Sequence, residues 1–241
     1  MIDMAIPQPI PSAIPMPIPW MSYGKPGCVF CLDMQDMGNR LIDYSGFGNH
    51  GASNGTVPVT GPAGLVRSFD GVDDFINCGK SASIGDLNLL SIEMWFKRNS
   101  LGGSSVGRHL DKGKWILDCP GSQRLSFQRS FTTTTGIWTS PSTSTVTGKW
   151  YHVVLTYDSS GAANLPSFYI NGLPAAANVS TAPVGMAVSD INDNLYVGNS
   201  VAQNRGYDGQ MGLTRLYNRI ITPMEAASLY RENAWRYGLP A

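Results

Sequence analysis

The sequence predicts an all-β protein on three observations. Alternating apolar and polar residues recur along the chain, most clearly in SIEMWFK (91–97) and WYHVVLTY (150–157). A period of two is the spacing of a strand with one face on a core. Turn pairs punctuate these runs, above all Asp70-Gly71 and Asn171-Gly172, where glycine takes a positive φ without steric cost. A single helical signature stands near the C-terminus, so runs of short strands are followed by one late helix.

The first element is unlike the rest. Pro7, Pro9, Pro11, Pro15, Pro17 and Pro19 exclude a helix or a central strand from residues 1–20. Ile2, Ile6, Ile10, Ile14 and Ile18 recur every fourth residue, and these prolines all fall on odd numbers. In an extended chain the isoleucines therefore share one face and the prolines the other. The prolines remove backbone donors from one edge and leave the other free to pair. Residues 1–20 read as an extended assembly arm that joins a neighbour's sheet edge or groove, and residues 21–241 read as the folded domain.

Strands follow in order. Gly27–Met34 is the first, and the Gly- and Asn-rich run DYSGFGNHGASNGT after it is irregular. Leu65–Phe69 and Phe75–Cys78 are expected to pair across the Asp70-Gly71 turn. The long strand at 90–97 comes next, with Ile92, Met94 and Phe96 on the core face and Glu93 on the opposite, solvent side. Lys114–Cys119 and Arg124–Arg129 alternate again, and the Thr-rich stretch 130–147 reads as an exposed hairpin or long loop. Trp150–Tyr157 presents Tyr151, Val153, Leu155 and Tyr157 to one face. Phe168–Ile170 turns back at Asn171-Gly172, Leu195–Val197 is a further strand, and the last runs from about Gln210 to Tyr217. Thr222-Pro223-Met224-Glu225 then places Thr at a helix N-cap, Pro at the first position and Glu at the third, a capping box that opens a helix ending near Arg231.

Composition narrows the function classes. Of 241 residues 42% are hydrophobic, enough for a core, so a wholly disordered chain is excluded. Seventeen basic residues balance 17 acidic ones, which gives no electrostatic footprint for nucleic acid or an anionic membrane. The proline-broken N-terminus lacks the basic and apolar regions of a secretory signal, so a product of a reducing cytoplasm is expected, with no membrane span. Cys28 and Cys31 form a CxxC, but residues three apart on a strand face opposite ways. Neither a shared metal nor a disulfide is expected of them, and all four cysteines read as buried thiols.

Several motifs fail on inspection. Gly46, Gly48 and Gly51 satisfy GxGxxG, yet Ala52-Ser53-Asn54-Gly55-Thr56 cannot open the helix that dinucleotide binding requires. Asp190, Asn192 and Asn194 mimic the start of an EF-hand loop, but Leu195 and Val201 stand where Gly and Glu are needed. Among the histidines, His50 and His109 have no Cys or Ser partner within reach in the sequence. Asn54-Gly55-Thr56 and Asn178-Val179-Ser180 are glycosylation sequons, which carry no weight without an export signal. Asp43 and Asn49, with glycine carbonyls between them, offer oxygens of the kind calcium takes. Trp138, with Asn204 and Tyr207 as a second set, is the best aromatic platform for a glycan.

The segments SFDGVDDFINCG (68–79), LSIEMWF (90–96), WYHVVLTYD (150–158) and LYNRIITPMEAASLY (216–230) together resemble laminin-G-like jelly-roll domains of the concanavalin A-like superfamily. The order of motifs, from DYSGFGNHG (43–51) through FYING (168–172), matches that family, and the resemblance covers roughly residues 27 to 233. It implies a two-sheet antiparallel jelly-roll sandwich with one short C-terminal helix. It also implies a structural calcium near the Asp43 loop, although Gly212-Leu213-Thr214 holds none of the acids the family carries on its last strand. The W-x-H-V pattern around His152 is structural in that family. Glycosidases of this fold carry E-x-D-x-x-E on one strand, whereas the chain offers Glu93 alone. The expectation is a non-enzymatic structural or interaction protein, foremost a decoration or minor surface component of a virus particle. Its partners through residues 1–20 would be other copies or a shell protein. The alternative is a carbohydrate-binding, lectin-like module for surface attachment.

Overall fold

A computed structural model describes residues 24–62, 64–121 and 123–240. The arm and its five isoleucines, Ile2 to Ile18, lie outside the described residues. Strands dominate, in two antiparallel sheets, as the alternation predicts.

The first sheet runs Leu173–Ala175, Ser167–Ile170, Trp150–Asp158, Leu89–Arg98, Asp208–Tyr217, Gly64–Asp70 and Val57–Gly61, with Cys28–Leu32 also on Asp208–Tyr217. The second runs Asn178–Thr181, Gly136–Thr139, Ser126–Arg129, Trp115–Asp118, Arg108–Asp111, Tyr196–Val197, Phe75–Asn77, Gly51–Asn54 and Arg40–Leu41. Between them Ile92, Met94, Phe96, Val153 and Leu155 of the first sheet meet Ile76, Leu110, Trp115, Leu117, Phe127 and Trp138 of the second. Ile92, Met94, Phe96, Val153 and Leu155 are the positions that alternation assigns to the core.

A second core lies outside the first sheet. The helix Pro223–Asn233 and the 3-10 turn Ala234–Tyr237 cover Trp95, Val154, Tyr169, Leu213 and Tyr217, with Ala226, Leu229 and Tyr237 facing in. Thr222 and Glu225 form the expected capping box, with the Glu225 N–H donating to Thr222 Oγ1 at 3.3 Å and the Thr222 N–H to Glu225 Oε2 at 2.9 Å. The central strands of the first sheet are therefore covered on both faces. Glu93, expected on the solvent side, is fully buried. The strand's own period cannot reveal a helix that arrives 130 residues later.

Turn chemistry was legible where it is local. Asn171 and Gly172, at φ 50° and 76°, close a two-residue hairpin in which Ile170 opposes Leu173. At Asp70-Gly71 the expected pairing is corrected: Gly64–Asp70 belongs to the first sheet and Phe75–Asn77 to the second. The Asp70 N–H donates to Asp74 Oδ2 at 2.9 Å and the Gly71 N–H to Tyr207 O at 3.0 Å, so the turn is a corner between sheets. The Thr-rich stretch is likewise corrected, since Gly136–Thr139 is an inner strand of the second sheet. A β-bulge between Cys28 and Phe30 also overturns the expected opposite facing of Cys28 and Cys31. Among the described residues no helix is long and apolar enough to cross a membrane.

Candidate functional site

Four strands of the second sheet carry polar residues in one straight row. Thr139 opposes Ser126, Ser126 opposes Asp118, and Asp118 opposes Arg108. The residues beside them in each strand, Trp138, Phe127 and Leu117, fill the inner core. Alternation therefore turns the row to the sheet's other face. A parallel row on that face runs Ile137, Gln128, Ile116, Asp111, Tyr196, Asn77 and Ala52.

Asp118 is the centre of this face. It is 2% exposed; the Arg108 guanidinium closes on Oδ2, and Gln128 Nε2 donates to the same oxygen at 3.3 Å. Among the described residues Oδ1 completes no hydrogen bond, although the Ser126 hydroxyl lies near enough to pull the carboxyl down, and Arg108 Nε, Thr139 Oγ1, Arg124 Nε and Gln123 Oε1 are also without partners. An unmet buried polar atom costs about 1–3 kcal/mol, so a group of them calls for a ligand or water. Burial pushes the Asp118 carboxyl up to about 6 against the pull of Arg108. Asp111, also buried, is raised for the same reason although the Gly113 N–H donates to it at 2.8 Å.

Apolar surface lies beside the polar centre. Tyr196 and Phe75 meet edge to face at 5.7 Å, and Ile116 and Ile137 are partly exposed. The second row ends in an open cleft of about 430 Å³ lined by Gly48, His50, Asn77, Lys80 and Ser81. Carboxylate, guanidinium and amide in fixed positions, next to aromatic rings, can exchange hydrogen bonds with several hydroxyls of one ligand.

The residues singled out in the sequence fall elsewhere. Trp138 is fully buried, 6.0 Å from Phe127 and 4.9 Å from Tyr157, so it is a core ring and no platform. Tyr207 is buried against Phe69 at 5.7 Å and His109 at 4.9 Å. Asn204 is exposed, and its loop reaches the end of the polar row through the Arg108 N–H, which donates to Arg205 O at 2.9 Å.

Asp43 and Asn49 do sit together. Asp43 Oδ1 accepts from the N–H groups of Cys31 (2.8 Å) and Ser45 (2.9 Å), while Oδ2 accepts from Ser45 Oγ and the Asn49 N–H, both at 2.8 Å. The Asn49 amide donates to Val29 O at 2.8 Å and Ser83 Oγ at 2.9 Å. Four donors occupy the carboxylate, which does not fit a calcium ligand in this arrangement. Asp70, Asp73 and Asp74 bring carboxylate oxygens within 4.8 Å of one another, but Asp74 and Asp70 accept turn N–H groups.

The sequence reading missed Asp118, Arg108, Gln128 and Asp111. Only SFQR (126–129) carried a local signal, with Ser126 and Gln128 alternating with Phe127; Arg108 and Asp111 stand three apart across a register shift, and Asp118 is alone in WILD (115–118).

A family model described as "Concanavalin A-like lectin/glucanases superfamily" matches residues 70–227. Among solved structures, the binding domain of Paraclostridial Mosquitocidal Protein 1 aligns at TM-score 0.66 and 14% identity, over 89% of this chain and 55% of that one. The binding domain of botulinum neurotoxin serotype G aligns at 0.62 and 16%, over 85% and 50%. Domain 4 of AbnA, an extracellular arabinanase from Geobacillus stearothermophilus, in complex with arabinotriose, aligns at 0.56 and 16%, over 84% and 98%. The chain thus spans about half of each toxin binding domain and nearly all of the arabinanase domain. No match was found among curated protein sequences. At these identities the structural likeness shows the fold.

Proposed function

Because the chain belongs to the concanavalin A-like lectin/glucanases superfamily, we propose that it is a non-enzymatic binding module whose second sheet receives a carbohydrate. One observation carries this reading: the row Thr139, Ser126, Asp118 and Arg108 concentrates buried polar atoms without partners on the face away from the core. A sugar presents adjacent hydroxyls that both donate and accept. Asp118 Oδ1 would accept from one hydroxyl, and Arg108 Nε would donate to a neighbour. Tyr196 and Phe75 offer apolar surface for the ring. The likeness to an arabinanase domain in complex with arabinotriose supports a glycan as the ligand class.

The test is a glycan array on the full chain, followed by calorimetric titration of the retained oligosaccharides. Asp118→Asn and Arg108→Ala should each weaken binding about 10- to 100-fold, the worth of a hydrogen bond to a charged group. Retention of no glycan, or binding indifferent to both changes, overturns the proposal. Asp111 and Asp118 share the face, so reducing ends are assayed alongside; turnover lost in Asp118→Asn would replace binding with hydrolysis.

A second reading concerns display. The isoleucine and proline spacing of residues 1–20 favours an arm that anchors the module to other copies or to the shell protein of a particle, such as a virion. The two readings are compatible, since the arm and the polar row are separate parts of the chain.

A further inference from the structure

The CxxC at the start of the fold has a geometry that its spacing conceals. Cys28 opposes Tyr217, Phe30 opposes Leu216 and Cys31 opposes Arg215. Three steps along one strand thus match two along its partner, with Val29 as the extra residue of the bulge. Tyr217 and Arg215, two apart, point to one face, so Cys28 and Cys31 do too. Both thiols lie in the outer core on one side of the strand, and Cys28 Sγ donates to Phe30 O at 3.2 Å.

The two sulfurs are not equivalent. The Cys31 thiol beside it favours ionisation of Cys28 and lowers it, with Arg215 adding to the effect. The same proximity, together with burial, raises Cys31 well above the ordinary range. That asymmetry is the division between an attacking and a resolving thiol. Cys78 and Cys119 show no such pairing; burial raises both, and Cys119 lies against Thr145 Oγ1 at 3.0 Å. Tyr217, opposite Cys28, lines a groove of about 230 Å³ with Lys25, Pro26 and Leu229, and Cys28 itself is 5% exposed.

We propose that Cys28 and Cys31 form a redox-active dithiol that is oxidised by a small hydroperoxide. The Cys28 thiolate attacks the peroxide, forming an S–O bond as the O–O bond breaks, and with one proton the departing oxygen leaves as water. Cys31 Sγ then attacks Cys28 Sγ, the S–S bond forms, and the S–O bond breaks with loss of a second water. Two thiols give up two electrons and two protons to one hydrogen peroxide, leaving one disulfide and two waters. A hydroperoxide of this size suits a sulfur that little else can reach.

The experiment treats the full, folded chain with hydrogen peroxide, then alkylates it in denaturant and maps the peptides. Two of the four cysteines should be lost to alkylation, joined as Cys28–Cys31, and a thiol reductant should restore them. Cys31→Ser should halt at a sulfenic acid on Cys28, trapped by a cyclic 1,3-diketone, and Cys28→Ser should not be trapped. Four alkylated thiols after treatment, a link to Cys78 or Cys119, or a Cys28–Cys31 link that forms only after unfolding would each overturn the proposal. Circular dichroism of both serine variants confirms that the comparison is between folded proteins.

Discussion

The Tyr217 hydroxyl donates a 2.6 Å hydrogen bond to Glu93 Oε2 beneath the C-terminal helix. Arg215 Nη1 reaches the same oxygen at 3.1 Å, and His152 Nε2 lies 3.5 Å from Oε1. Burial alone would raise this carboxyl, yet Arg215, His152 and Tyr217 hold it down at about 2. Trp95, two residues along the strand, stacks on Tyr237 at 4.1 Å, so the aromatic stack ties the C-terminal segment to the sheet beside the charged cluster.

Glu93→Gln is accordingly expected to destabilise the fold by about 3–5 kcal/mol, because it removes the buried carboxylate that Arg215, His152 and Tyr217 surround. The sign with pH follows from the lowered carboxyl. Its contribution is present above about 4.5, the unfolded value, and is lost as pH falls towards about 2. Urea unfolding of both proteins from pH 7 to pH 3 checks this. A variant as stable as the parent at pH 7, or an unchanged acid limb, would remove the structural role.

Asp118 behaves in the opposite sense. Its folded value of about 6 exceeds the ordinary 3.8, so the folded state holds the extra proton between them. Its stabilising contribution is full below about 3.8 and is lost as pH rises through 6. Asp118→Asn should flatten that decline and melt no lower than the parent at pH 7, while losing glycan affinity. Affinity of the parent should rise between pH 5 and pH 7 as Asp118 ionises and accepts more strongly. Melting profiles and titrations at matched pH separate the two effects, and a variant that loses both stability and binding would mark Asp118 as structural.

Calcium in the millimolar range is expected to leave the melting temperature unchanged, since the Asp43 oxygens already accept from four protein donors. Asp43→Ala should cost about 1–3 kcal/mol by stranding the buried Cys31 and Asn49 N–H groups. Scanning calorimetry with calcium and with chelator decides the matter. A melting temperature that rises with calcium concentration would restore the ion to this loop.

On the display reading proposed above, deleting residues 1–19 should leave a folded, soluble protein that no longer joins a particle. Fully extended, the first twenty residues reach roughly 65 Å, enough to cross to another subunit. Size-exclusion chromatography and incorporation into source particles give the readout. Normal incorporation of the shortened chain would make the arm a bystander.

Local physics made much of this fold readable in advance. The alternation of Tyr151, Val153, Leu155 and Tyr157, the hairpin at Asn171-Gly172 and the Thr222/Glu225 capping box each depend on residues within one or two turns of chain. The inward face of Leu89–Arg98 was legible for the same reason, through Ile92, Met94 and Phe96.

Tertiary structure decided what period two leaves open. Alternation says that Glu93 and Ile92 face opposite ways, but not that a distant helix seals the Glu93 side as well. It cannot place Phe69 and Phe75 in different sheets, nor bury Trp138 within a Thr-rich stretch. One extra residue at Val29 reverses the face of Cys28 relative to Cys31, and only the pairing with Tyr217 and Arg215 reveals it. The candidate polar row is the same kind of fact. Thr139, Ser126, Asp118 and Arg108 come from four strands, and nothing local to any of them sets the register that lines them up.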